Sequence, residues 1–172
     1  MDSPGLPKQL QQLKILKCDH FRVYQDVMEY FKHVYNINLT AGQNRKSMYA
    51  DDDFSQPLEH SEQLNILFDL LLSHKLHGRL ILYLFNQYQS LILTNIELYH
   101  LWCEILVSNK HWRLYHHIKD FLVQHQCMGV YLYFEMKYSS SKKLVKLCQD
   151  IHEEIKNELD PSIKSVLAKL IE

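Results

Sequence analysis

Apolar residues recur at three- and four-residue steps along most of this chain, the spacing that lines one face of an α-helix. With Asp19 as N-cap, the positions Phe21, Tyr24, Val27, Met28, Phe31, Val34 and Tyr35 predict a helix running to about Tyr35. Ahead of it, residues 1–8 contain Pro4, Gly5 and Pro7 and read as a linker, and a short helix is expected over 9–17. Then the pattern stops. Residues 38–57 are polar, contain Gly42 and Asp51–Asp53 and show no period, so a long polar loop is expected there.

From Ser61 onward the helical spacing returns almost without interruption. Leu64, Leu67, Phe68, Leu71 and Leu72 define one helix, and Leu80, Leu84, Phe85 and Tyr88 a second, entered after Gly78. A third starts near Asn95 with Leu98, Leu101, Trp102, Ile105 and Leu106, and a fourth carries Trp112, Tyr115, Ile118 and Leu122. A break at Met128-Gly129 precedes Tyr131-Leu132-Tyr133-Phe134, too short a run to assign by period, with its aromatics expected in the core. Ser139-Ser140-Ser141 caps a long helix through Leu144, Leu147, Cys148, Ile151, Ile155 and Leu159. Asp160-Pro161 supplies N-cap and first-turn proline to a last helix with Ile163, Val166, Leu167 and Leu170.

About seven or eight helices joined by short loops must pack as antiparallel neighbours. The expected fold class is all-α: a right-handed α-α superhelix, a solenoid-like, armadillo-like stack of antiparallel helix pairs. No strict internal repeat is present. The length of 172 residues and the 47% apolar content suit one domain, taken as residues 9–172, and only 4 Gly and 4 Pro interrupt it.

Charge narrows the partners. A formal net charge of −1 and a pI near 6.8 do not call for nucleic acid, and Lys142, Lys143 and Lys146, or Lys110 with Arg113, read as solvated helix faces. No apolar run is long enough for a membrane, and the N-terminus has no apolar signal region. Cys18, Cys103, Cys127 and Cys148 are widely spaced with no C-x-x-C pair, which fits a reducing compartment. A cytoplasmic location is expected, with nuclear entry open to so small a chain.

The chain offers little chemistry of its own. Zinc sites on helices use H-E-x-x-H, and the one His-Glu pair, His152-Glu153, is followed at the second ligand position by Lys156. His74 and His77 flank a turn that Gly78 ends, and His116 and His117 are adjacent and expected on different faces. Asp51–Asp53 lacks the alternating spacing and glycine of a calcium loop. There is no G-x-S-x-G elbow and no glycine-rich phosphate loop, and Glu97, Glu104 and Glu135 read as solvent-facing helix carboxylates. No catalytic residue, metal ligand or cofactor is therefore expected within this chain.

Three stretches carry a resemblance. Ser3-Pro4-Gly5-Leu6-Pro7 resembles the S-P-G-L-P junction that ends the catalytic domain in the aminopeptidase B, aminopeptidase O and leukotriene hydrolase group. Asn95-Ile96-Glu97-Leu98 through Trp102 is similar to that group's N-x-E-I/L-x-x-x-W helix. Gln126-Cys127-Met128-Gly129-Val130-Tyr131-Leu132-Tyr133 looks like the Q-x-M-G-V-Y-L-Y segment of the aminopeptidase O branch. The resemblance implies a non-catalytic C-terminal helical domain of a zinc metalloaminopeptidase, a hydrolase whose zinc sits in an upstream catalytic domain. On this view residues 1–8 are the remnant of an interdomain linker. The domain would pack on that catalytic domain in cis and form one wall of the peptide-substrate cleft. Relatives outside that branch carry Q-G-R-M-K-F at the last motif, with Arg and Lys near the substrate carboxylate. In this chain Met128 and Val130 stand at those two positions, so the wall would be neutral. For both residues ordinary core packing is the competing expectation. The alternative for the whole chain is a stand-alone α-solenoid module that binds a partner in a concave groove.

Overall fold

Polar side chains that take up the first free N–H groups set where several of these helices begin. The computed structural model describes residues 19–40 and 58–171. Among them are eight α-helices: α1 (Asp19–Thr40), α2 (Ser61–Leu72), α3 (Gly78–Thr94), α4 (Ile96–Ser108), α5 (Tyr115–Gln124), α6 (Val130–Lys137), α7 (Lys142–Ile155) and α8 (Pro161–Ile171). Short 3-10 turns at Trp112–Leu114 and Gln126–Met128 precede α5 and α6. The described residues contain no strand. Asn95 Oδ1 accepts from the N–H groups of Glu97 and Leu98 at 3.0 and 3.1 Å, capping α4. Asp160 caps α8 in the same way, accepting from Ser162 N at 2.9 Å, with Pro161 as the first helical residue. Ser162's hydroxyl also bonds this carboxylate, and these bonds hold its pKa below the usual range.

Several boundaries differ from the sequence reading, each for a local reason. Helix α1 runs to Thr40 rather than Tyr35, so residues 38–40 belong to a helix and not to the expected loop. Its last turn is tied down: Asn38 Nδ2 donates to Lys75 O at 3.0 Å, and Asn38 Oδ1 accepts from His77 N at 2.6 Å. Periodicity cannot see such tertiary partners. The remainder of the expected loop, the linker 1–8 and the helix expected over 9–17 lie outside the described residues. Trp112 sits in a 3-10 turn, so the fourth expected helix begins only at Tyr115. Tyr131–Phe134 is helical, and α7 stops at Ile155, leaving Leu159 buried beyond its end. Ser141 precedes α7 but makes no side-chain cap bond.

The helices form two rows. Helix α2 packs on α4, α4 on α6 and α6 on α8, while α1 meets α3 and α5 meets α7 on the other side. Contacts of α1 with α2, α3 with α4, α4 with α5 and α6 with α7 join the rows. Helix α4 therefore has neighbours around most of its circumference and buries Leu98, Tyr99, Trp102, Cys103, Ile105, Leu106 and Val107. Fully buried Trp102 lies between Phe68, 5.7 Å away, and Phe85, 5.6 Å away. Such ring pairs add about 0.5–1.5 kcal/mol each beyond their burial. Burial also raises the thiol pKa of Cys103 and Cys148, the latter to about 11, so both behave as small apolar groups.

Helix α4 ends in a Schellman motif. Lys110 N–H donates to Val107 O at 3.1 Å and His111 N–H to Leu106 O at 3.0 Å. That geometry places Lys110 in the left-handed region at φ 54°, a position usually held by glycine. Asn109 continues the clamp, its Oδ1 accepting from Leu76 N at 2.7 Å. The turn between α2 and α3 is thus held by Asn38 from one side and Asn109 from the other.

Candidate functional site

The segment carrying Met128 and Val130 is built as a corner. Gln126–Met128 makes one 3-10 turn, and α6 starts at Val130. Gln126 fixes the corner to the far end of the fold: its Nε2 donates to Glu158 O at 3.4 Å, and its Oε1 accepts from Asp160 N at 3.2 Å. Gly129 is buried directly against Leu122 of α5. Met128 and Val130 are half-buried and pack on the core, each with part of its side chain exposed. Both are apolar, so neither side chain can pair with a carboxylate.

Helix α6 turns two of its aromatics outward. Tyr133 is buried, but Tyr131 is 51% exposed, Phe134 47% and Tyr138 66%, against the expectation that the run is core. At about 100° per residue, positions 131, 134 and 138 share one face, with Glu135 beside them, while Leu132, Tyr133 and Met136 share the opposite one. Phe134 and Tyr138 contact each other at 4.8 Å between ring centroids. The i, i+3, i+7 spacing of Tyr131, Phe134 and Tyr138 was visible in the sequence. What hid it was a buried tyrosine between them.

This aromatic face borders a groove of about 380 Å³ between α2, α4 and α6. Leu72, Val107 and Leu132 form its apolar lining, and Asp69, Glu104, Glu135 and Tyr131 bring polar groups to it. Glu104 and Glu135 are thus half-buried in a groove rather than solvent-facing, whereas Glu97 is exposed on the first turn of α4. Glu104 pairs with His100 one turn back, Oε1 to Nδ1 at 3.0 Å. Burial, and then the neighbouring charge of Glu104, raises the Asp69 carboxyl pKa. Past Ser73 and Ser108 the groove continues into a second hollow beside Lys75 and Lys110.

A neutral corner, an aromatic helix face and a groove define the surface. The family model "Leukotriene A4 hydrolase, C-terminal" matches residues 59–171. The chain belongs to the leukotriene A4 hydrolase C-terminal family. Aminopeptidase O of Rattus norvegicus is 28% identical over 174 residues, covering 99% of this chain and 21% of the relative. Aminopeptidase O of Homo sapiens is 28% identical and that of Mus musculus 25%, each covering 99% of this chain and 20% of the relative. The chain spans about a fifth of the length of the curated relatives it matches. No solved structure matches it.

In this member of the leukotriene A4 hydrolase C-terminal family, His74, His77 and His117 serve packing and capping. His77 caps α3, accepting from Arg79 N at 3.3 Å, so Gly78 opens a helix rather than only closing a turn. His74 sits edge-on to Phe31 and Tyr35 at 5.4 and 5.0 Å. His117 is buried beside Phe85 at 4.5 Å, and burial followed by nearby His116 lowers its pKa. His116 is exposed, yet the two rings lie 4.0 Å apart, closer than their different faces implied. Among the described residues no group of three or more His, Cys, Asp or Glu could hold a metal ion. No described helix is long and apolar enough to cross a membrane.

The fold also joins two basic clusters that the sequence keeps apart. Trp112 is 58% exposed, with Lys143 Nζ 4.7 Å and Arg113 Cζ 5.7 Å from its ring centroid. Lys110 Nζ donates to Ser140 Oγ at 2.5 Å, tying the loop after α4 to the loop before α7.

Proposed function

We propose that this chain is the non-catalytic C-terminal helical domain of a zinc metalloaminopeptidase of the aminopeptidase O type. It packs on the catalytic domain in cis and forms one wall of the peptide-substrate cleft, with Met128 and Val130 as the neutral part of that wall. The observation that carries the reading is the match of nearly the whole chain to about a fifth of each aminopeptidase O. Support also comes from the two rows of helices and the exposed aromatic face of α6, which suit a domain that buries further surface against a larger neighbour. Zinc and every step of hydrolysis belong to the catalytic domain, and a cytoplasmic enzyme fits the free thiols of Cys103, Cys127 and Cys148.

An antibody raised against this chain tests the reading on extract of the native source. The expected result is a band far above 20.6 kDa, with immunodepletion removing chelator-sensitive aminopeptidase activity. A band at 20.6 kDa alone, with activity left in the depleted extract, would replace this reading by the stand-alone interaction module.

A further inference from the structure

Among the described residues, the outer face of α6 is an exposed apolar feature that meets a groove. Tyr131, Phe134 and Tyr138 present three half- to two-thirds-exposed rings in a contiguous stripe. A surface helix normally turns such positions to charged or polar residues, and a contiguous aromatic stripe marks a contact surface. Tyrosine and phenylalanine suit that role because they bring large area at small loss of rotamer freedom.

Charge distinguishes the occupant. Asp69, Glu104 and Glu135 arrive from three different helices at one groove that the Tyr131 ring borders. Glu104 pairs with His100 on its own helix, and Glu135 is hydrogen-bonded by Tyr131. Three carboxylates on one groove concentrate negative charge there, which a cation inserted among them would relieve. The apolar floor of Leu72, Val107 and Leu132 suits the methylene stem of a lysine or arginine whose charged end reaches the carboxylates. A partner with apolar side chains for the α6 stripe and one basic side chain for the groove is the complementary shape.

We infer that this face docks the catalytic domain of the parent polypeptide, through a segment that inserts a lysine or arginine among Asp69, Glu104 and Glu135 while apolar neighbours cover Tyr131, Phe134 and Tyr138. The inference rests on the reading under Proposed function and adds to it the docking face and its charge. Two observations favour the catalytic domain as occupant. Most of each relative's length lies beyond the segment this chain matches, and the stripe begins one residue after Val130, so a domain facing the Met128–Val130 corner faces the stripe as well. The Trp112 surface has the opposite charge and would take a different neighbour.

Hydroxyl-radical footprinting read by mass spectrometry, on this chain alone and on the full parent polypeptide, tests the inference. Tyr131, Phe134 and Tyr138 should be modified at least several-fold more slowly in the parent, with Trp112 unchanged. In a Glu135→Arg parent their reactivity should rise towards that of the free chain, with Glu135→Gln between the two. Protection in the parent at Trp112, or at Leu93 and Ile96, which are exposed at the junction of α3 and α4, with the α6 stripe still reactive, overturns the docking face and leaves the domain reading standing. Stripe protection that Glu135→Arg does not alter overturns the basic insertion. No protection anywhere in the parent sinks the domain reading itself.

Discussion

Gly129 and Leu122 approach so closely that no side chain fits between them: a Cβ on Gly129 would stand 2.3 Å from Leu122 Cδ2. The backbone angle at Gly129, φ −82°, is open to any residue, so space and not conformation demands glycine there. Leu122 is fully buried, so any shift of its side chain presses on a packed interior. Gly129→Ala should therefore destabilise the domain by about 1–3 kcal/mol through overpacking. Urea unfolding checks it, and a Gly129→Ala, Leu122→Ala double variant that recovers none of the loss relative to Leu122→Ala alone would refute the steric cause.

Lys110 presents the opposite case, since space is available and conformation is unfavourable. Its φ of 54° lies where an L-residue is disfavoured by about 1–2 kcal/mol. Lys110→Gly should stabilise the domain by up to about 1 kcal/mol, because the exposed Lys110–Ser140 bond it removes contributes little. A lower denaturation midpoint in the variant would count against the Schellman assignment.

His117 links stability to pH. Its folded pKa is lowered, by burial first and by His116 second, with Asp120 opposing. The unfolded chain therefore binds a proton more readily than the folded one. Stability from this site is complete above the unfolded histidine value of about 6.5 and is lost as pH falls from there through the lower folded value. The urea midpoint should drop across that window in the native chain and drop less in His117→Gln. Equal pH dependence in both proteins would remove His117 as a cause.

Met128 and Val130 set a specificity expectation for the parent enzyme. Installing Met128→Arg with Val130→Lys should raise kcat/KM for short free-acid peptides over their amidated forms by about tenfold or more, the scale of one charge-assisted hydrogen bond. An unchanged ratio would return both residues to a packing role.

Much of the fold was legible from one dimension. The spacing of Leu64, Leu67, Phe68 and Leu71, or of Leu144, Cys148, Ile151 and Ile155, identifies a buried helix face, because the period of a helix is local and burial selects for it. Asn95 and Asp160 announced helix starts for an equally local reason: a cap bonds N–H groups two or three residues along.

By itself the sequence determined the helical class, most helix starts, the family resemblance and the neutral residues at Met128 and Val130. Tertiary structure alone decided three other things. It extended α1 past Tyr35, because the bonds from Asn38 go to Lys75 and His77 across the chain. It turned Tyr131 and Phe134 outward while burying Tyr133, because the side on which neighbouring helices lie fixes which face of α6 is covered. It gathered Asp69, Glu104 and Glu135 at one groove, and Trp112 with Lys143 at another surface, from positions far apart in the chain. Periodicity records whether a residue is buried within its own helix, but which other helix it meets depends on how all of them pack.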